Sequence, residues 1–84
     1  MKLRTYNIYE ICHEILDKDG NTIDVIELAE YKTERAAFIH IEDFCSDYNR
    51  IRTIRHYQYQ KDELGNEYNY HLVEVFDGFD REEE

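Results

Sequence analysis

Two five-residue segments, Asp17-Lys18-Asp19-Gly20-Asn21 and Asp62-Glu63-Leu64-Gly65-Asn66, share the spacing Asp-x-x-Gly-Asn and constrain the fold most. Each reads as a tight hairpin turn. The Asp carboxylate can accept backbone N–H groups of the turn, and Gly supplies the left-handed position of a type I turn with a G1 bulge. The flanking runs are rich in Ile, Val, Tyr and Thr, the residue types of strands. Around the first turn the predicted strands are Tyr6–Leu16 and Thr22–Tyr31. Around the second they are Ile51–Gln60 and Tyr68–Phe76. The first run also suits a helix face, through Ile8, Ile11, Cys12, Ile15 and Leu16. Two features favour the strand: Tyr9, Ile11 and Ile15 alternate with Glu10, Cys12 and Glu14, and a turn follows.

Between the hairpins, Thr33–Tyr48 has the helical period. Ala37, Phe38, Ile41, Phe44, Cys45 and Tyr48 fall within about a third of the circumference. Thr33 suits the N-cap and Glu34 the positive helix end. The helix should run to Asn49, a residue that tolerates the left-handed C′ conformation. Its outer side carries Arg35, Ile39, Asp43, Ser46 and Asp47. The predicted order is β-β-α-β-β. The fold class is α+β, a four-stranded antiparallel sheet with one helix packed across it. The 84 residues make a single domain with one thin core. Residues 77–84, DGFDREEE, read as a loose acidic tail.

With Leu16 facing Asn21, Ile11 comes opposite Ile26, Tyr9 opposite Leu28 and His13 opposite Asp24. The same geometry in the second hairpin sets Tyr59 opposite Tyr68 and Tyr57 opposite Tyr70, four tyrosines on one face. His56 then faces His71, and Ile54 faces Val73. The strands carry apolar residues on both sides, Ile23 and Val25 as well as Ile26 and Leu28, Val73 and Val75 as well as Leu72 and Phe76. One helix covers one face. The other calls for a second copy, as in a two-fold homodimer, or for a foreign partner.

Twenty Asp and Glu stand against ten Lys and Arg, a net charge of −10. Direct nucleic-acid binding needs cations to displace condensed counterions, and anionic membranes need them too. Both are disfavoured. No apolar run approaches spanning length and the N-terminus lacks a signal core, so a cytoplasmic protein is expected. Cys12 and Cys45 match no zinc spacing and sit in apolar patterns, which predicts buried thiols.

Site motifs fail in turn. DKDGNTIDVIE resembles a calcium loop, yet with Gly20 at the sharp turn the ligand positions fall on Ile15 and Ile26, whose carbons cannot coordinate. Four histidines lack metal spacing. There is no nucleophile elbow and no phosphate loop. No cofactor, metal or catalytic residue is assigned, and the expected class is non-enzymatic. Tyr57, Tyr59, Tyr68 and Tyr70 near Arg50, Arg52 and Arg55 could stack bases. The net charge favours a protein contact instead, in which tyrosine is a common anchor.

The remaining feature is the acidic stretch from Glu10 to Asp47, with Glu14, Asp24, Glu27 and Asp43 between. Asp43 and Asp47 stand one helical turn apart, a mutually repulsive spacing. Alternate residues on a strand are about 6.6 Å apart, so a field of carboxylates can imitate a phosphate backbone. In size, charge and aromatic content the chain resembles the small acidic inhibitors that phages and mobile elements direct at restriction and CRISPR nucleases. The resemblance is one of kind and carries over no residue. It implies a module that blocks a basic, nucleic-acid-binding surface of another protein. The expected contact set is Glu10, Glu14, Asp24, Glu27, Ile39, Asp43, Asp47, Tyr57, Tyr59, Tyr68 and Tyr70. The alternatives are a homodimeric structural protein without mimicry and a small RNA-binding sheet.

Overall fold

The computed structural model describes residues 2–46 and 49–79. In chain order the elements are β1 (Arg4–Leu16), β2 (Thr22–Tyr31), α1 (Glu34–His40) with a 3-10 turn at Ile41–Asp43, β3 (Arg50–Lys61) and β4 (Glu67–Phe76). The four strands form one antiparallel sheet in the order β2-β1-β3-β4. The first run is therefore a strand. The molecule is elongated, 51 × 25 × 19 Å, because thirteen-residue β1 runs its length. Among the described residues, no helix is long and apolar enough to cross a membrane.

Both turns close in the same way. Asp17 Oδ1 accepts the N–H groups of Asp19 and Asn21, each at 2.9 Å. Asp62 Oδ1 accepts those of Leu64 and Asn66 at the same distance. Gly20 and Gly65 have φ of 85° and 87°. A β-branched side chain is strained there, so Gly20→Val and Gly65→Val should each cost on the order of 1–2 kcal/mol. Urea melts of the two variants check this, and a wild-type midpoint in either would mean that its turn is misread.

The predicted registers do not hold. Leu16 faces Thr22, His13 faces Ile26, Ile11 faces Ala29 and Tyr9 faces Tyr31. Gln60 faces Tyr68, Tyr57 faces Leu72, His56 faces Glu74 and Ile54 faces Phe76. There are two causes. Asp17 N–H bonds Asn21 C=O and Asp62 N–H bonds Asn66 C=O, so each loop is one residue tighter than expected. In addition, β2 and β4 each carry two bulges, which slip the register further along both hairpins. The β1–β3 ladder has none and runs unbroken over twelve pairs.

The helix begins where expected. Thr33 Oγ1 accepts the N–H of Ala36 at 3.2 Å, and Glu34 lies in the first turn. It ends early, at His40, rather than near Asn49. Arg52 explains the difference. Its guanidinium donates to the carbonyls of Ile41 and Phe44, each at 3.1 Å, and to Phe79 at 3.2 Å. Carbonyls that a longer helix would have bonded internally find this cation instead. Ala37 and Ile41 join Ile11 and Ile54 in the buried cluster, flanked by Tyr9, Leu28, Phe44, Phe76 and Phe79. Phe79 thus packs on the core, although the sequence reading placed it in a loose tail. Cys12 is buried as expected, whereas Cys45 is exposed, because the chain has left the helix before it.

Candidate functional site

The side of the sheet that faces away from the Ile11–Ile54 cluster is open. Directly opposed residues of an antiparallel pair share a face. On this face β1 and β3 oppose Tyr6 to Tyr59, Ile8 to Tyr57, Glu10 to Arg55, Cys12 to Thr53 and Glu14 to Ile51. On the outer strands, Glu30 lies opposite Glu10 and Glu27 opposite Cys12, while Leu72 lies opposite Tyr57.

Aromatic rings occupy the half of it nearer the second hairpin turn. Tyr57 and Tyr70 stack at 5.3 Å, Tyr59 and Tyr70 at 5.7 Å, and Tyr6 and Tyr59 at 5.6 Å. Tyr70 is 51% exposed. At one end of the stack the chain's own cation covers two rings, with Lys61 Nζ 5.5 Å from the centroid of Tyr6 and 5.7 Å from that of Tyr59. These rings accept a cation by the attraction of their negative faces.

Carboxylates gather beside the stack. Glu10 is pushed above the usual carboxylate range by burial and by Glu27 and Glu30, partly offset by Arg55. The Tyr70 phenol is raised by burial, Glu10, Tyr57, Glu30 and Glu27, so the acids and the stack act on one another. Arg55 Nη2 lies 3.8 Å from Glu14, whose carboxylate also accepts the Thr22 hydroxyl at 3.2 Å. Among the described residues, no ion pair or side-chain hydrogen bond holds the carboxylates of Glu10, Glu27 and Glu30. Beneath them Thr53 Oγ1 and Arg55 Nε are buried without hydrogen-bond partners. Burial, and then Glu10, push the Cys12 thiol up to about 11, which keeps it protonated and a poor nucleophile near neutrality.

The raised Glu10 sets a pH dependence. A carboxyl group that is harder to ionise in the folded chain adds stability while protonated. That contribution is complete below its ordinary pKa of about 4.3 and is lost as pH rises through the folded value. Melting temperatures of wild type and Glu10→Gln should therefore differ most near neutrality, with the variant the more stable. They should converge as pH falls toward about 4.3. A constant difference across that window would remove the electrostatic account.

The open face collects six of the residues expected to make contact: Glu10, Glu14, Glu27, Tyr57, Tyr59 and Tyr70. Tyr68 is not with the other tyrosines. Asn69, at φ 56°, sits in a β4 bulge that turns Tyr68 to the face of Gln60, where its hydroxyl donates to Asp62 at 2.9 Å. Asp24 faces Ile15 and lies on the helix side of the sheet. Ile39 and Asp43 lie on the helical segment, where Asp43 meets His40 at 3.1 Å. Asp47 lies outside the described residues. Sequence reasoning missed Glu30 and Tyr6. The alternation Tyr6, Ile8, Glu10 carried the signal for the second, whereas a bulge at Leu28 hid the first. The histidines also part: His56 lies between Asn7 Oδ1 at 2.8 Å and Glu74 Oε1 at 3.2 Å, and His71 faces Gln58.

Comparison with known proteins returns nothing: no family model, curated protein or solved structure is significantly similar to this chain.

Proposed function

We propose that the chain is a non-enzymatic binding module whose open face docks on a cationic surface of another protein, one that otherwise holds nucleic acid. In its most specific form it is an inhibitor of the class that phages and mobile elements direct at restriction or CRISPR nucleases. The observation that carries the reading is the Glu10–Glu30 pair, with Glu27 beside it. Like charges directly opposed across two strands are destabilising. A partner's Arg or Lys placed among them would relieve the repulsion and find exposed tyrosine rings alongside. Docking should also lower the raised pKa of the Glu10 carboxylate.

The test is capture from a nuclease-treated cell lysate on immobilised protein. Captured partners should be nucleic-acid-binding proteins, released by added duplex DNA or RNA and by salt, because exposed charges are screened beyond ~8 Å at physiological ionic strength. Capture that survives both competitor and salt defeats the reading. A second reading, a two-fold dimer through the same face, draws on exposed Tyr70, Leu72 and Val75. The sign of the salt effect separates the two. Copies that bring their carboxylates together should associate more tightly at high salt, and a basic partner less tightly.

A further inference from the structure

We infer that the corner of the sheet where β2 ends is a binding site for a free amino acid with an apolar side chain, taken as its zwitterion. This is a small-molecule site. It shares Glu30 with the open face but does not depend on the docking proposed there. Topology creates the corner. β1 pairs with β3 from Arg4 onward, but its ladder with β2 starts only at Tyr9 opposite Tyr31. Beyond Tyr31 the chain leaves the sheet for α1. A hollow of about 370 Å³ lies beside this end of β1, bordered by Tyr6, Ile8, Glu30, Lys32, Tyr59 and Lys61. That volume is near the lower end for ligand sites, about 300–1,000 Å³, and suits a single amino acid.

Three kinds of group meet in the hollow. The first is charge of both signs. Glu30 and Lys32 border it together, and among the described residues neither side chain is held in an ion pair or a hydrogen bond. Lys61 borders it as well, its ammonium group 5.5 Å from the Tyr6 centroid and 5.7 Å from that of Tyr59. The second is open backbone. Alternate residues of 5–8 turn N–H and C=O groups to the side that β2 does not reach. The third is an apolar wall, made by Ile8 and the rings of Tyr6 and Tyr59.

This combination selects the ligand. A simple anion would meet the Glu30 carboxylate, and a simple cation would meet two lysines. An α-amino acid carries both charges on neighbouring groups. Its ammonium group can donate to Glu30 and to an open C=O of β1, while its carboxylate accepts from Lys32 or Lys61 and from an open N–H. These are the backbone groups that a longer β2 would have presented, each with a full charge added. The ligand's side chain then lies against Ile8, Tyr6 and Tyr59, which favours an apolar or aromatic one. Asp62 and Glu63 border a neighbouring hollow with Lys2 and Arg4, not this one. The ligand is neutral overall, so the net charge of −10 neither steers it in nor keeps it out.

The probe is phenylalanine, titrated into the full chain and followed by amide chemical shifts. Its dissociation constant should be roughly millimolar, as befits so small a ligand, with the shifts centred on residues 5–8 and 30–32. N-acetylphenylalanine lacks the ammonium charge and phenylalaninamide lacks the carboxylate. Each should bind about ten-fold more weakly, the worth of one charge-assisted hydrogen bond. Glu30→Gln should weaken phenylalanine by a similar factor and leave N-acetylphenylalanine unchanged, because that contact is already lost. Lys32→Met with Lys61→Met should weaken phenylalanine and leave phenylalaninamide unchanged. Equal affinity for the three ligands, variant effects that do not pair in this way, or shifts centred elsewhere would each overturn the proposal. N-acetylphenylalanine binding as tightly as phenylalanine, or displacement of phenylalanine by inorganic phosphate, would make the corner a simple anion site instead. N-acetylphenylalaninamide keeps both peptide groups and neither charge. If it binds as tightly as phenylalanine, the corner is a strand edge and the zwitterion site is wrong.

Discussion

Ile54→Ala is expected to leave much of the protein unfolded at room temperature. Ile54 is 0% exposed on β3, one of the two inner strands, and packs with Ile11, Ala37 and Ile41. Truncating a fully buried Ile removes its transfer energy and leaves a cavity, at about 2–5 kcal/mol. A domain of this size with one thin core has a total stability on the order of 5 kcal/mol. The loss is therefore comparable to everything that holds the fold. The cavity has little chance to collapse, because the β1–β3 ladder on either side is regular and continuous. Urea denaturation followed by circular dichroism measures the effect. Ile39→Ala is the control: at 59% exposure on α1 it should change stability by less than about 0.5 kcal/mol. Similar losses in both variants would mean that the buried cluster is not the source of stability.

The contrast between Ile39 and Ile54 shows what could be read from the sequence. Period and punctuation placed the elements: β2 runs Thr22–Tyr31, as the alternation before and after Gly20 implied, and Thr33 caps α1. These are local properties, set by turn chemistry and side-chain spacing within a few residues. Register was not local. Each hairpin slips through bulges at which no Gly or Pro marks the break, so a ruler laid outward from the turn drifts further with every rung. The end of the helix was hidden for a similar reason. Phe44 and Cys45 continue the helical period, but Arg52, eight residues beyond Phe44, takes the carbonyls. Tertiary hydrogen bonding overrode the pattern.

The same distinction governs the candidate site. Alternation set Glu10 with Glu14 along β1 and Tyr57 with Tyr59 along β3, and the unbroken β1–β3 ladder brings the two pairs to one face. Tyr70 joins them only through a bulge in β4, and the two bulges in β2 bring Glu30 opposite Glu10. The acidic stretch that looked continuous along the sequence is therefore divided. Glu10, Glu27 and Glu30 cluster on the open face, while Asp24 and Asp43 are turned elsewhere.

That division makes the largest functional effect a selective one. Glu27→Lys with Glu30→Lys should slow association with a captured basic partner by about ten-fold or more at low salt, since steering depends on the local field at the contact. The same double variant should fold at least as well as wild type. Glu10 now faces a carboxylate across the β1–β2 ladder. With a cation there instead, repulsion becomes attraction, a change of about 0.5 kcal/mol for an exposed cross-strand pair. Loss of binding with a gain in stability cannot be confused with unfolding. The matched control is Asp43→Lys with Glu63→Lys, which alters net charge equally but lies on the 3-10 turn and the second hairpin turn. If association follows bulk charge, both double variants slow it alike. If the helix side makes the contact, the Asp43 variant is the more damaging. The open face requires that only the Glu27–Glu30 pair matters, that added salt erases the difference, and that the wild-type complex weakens as Glu10 protonates. Surface plasmon resonance on the captured partner, run across salt and pH for all three proteins, decides among these outcomes.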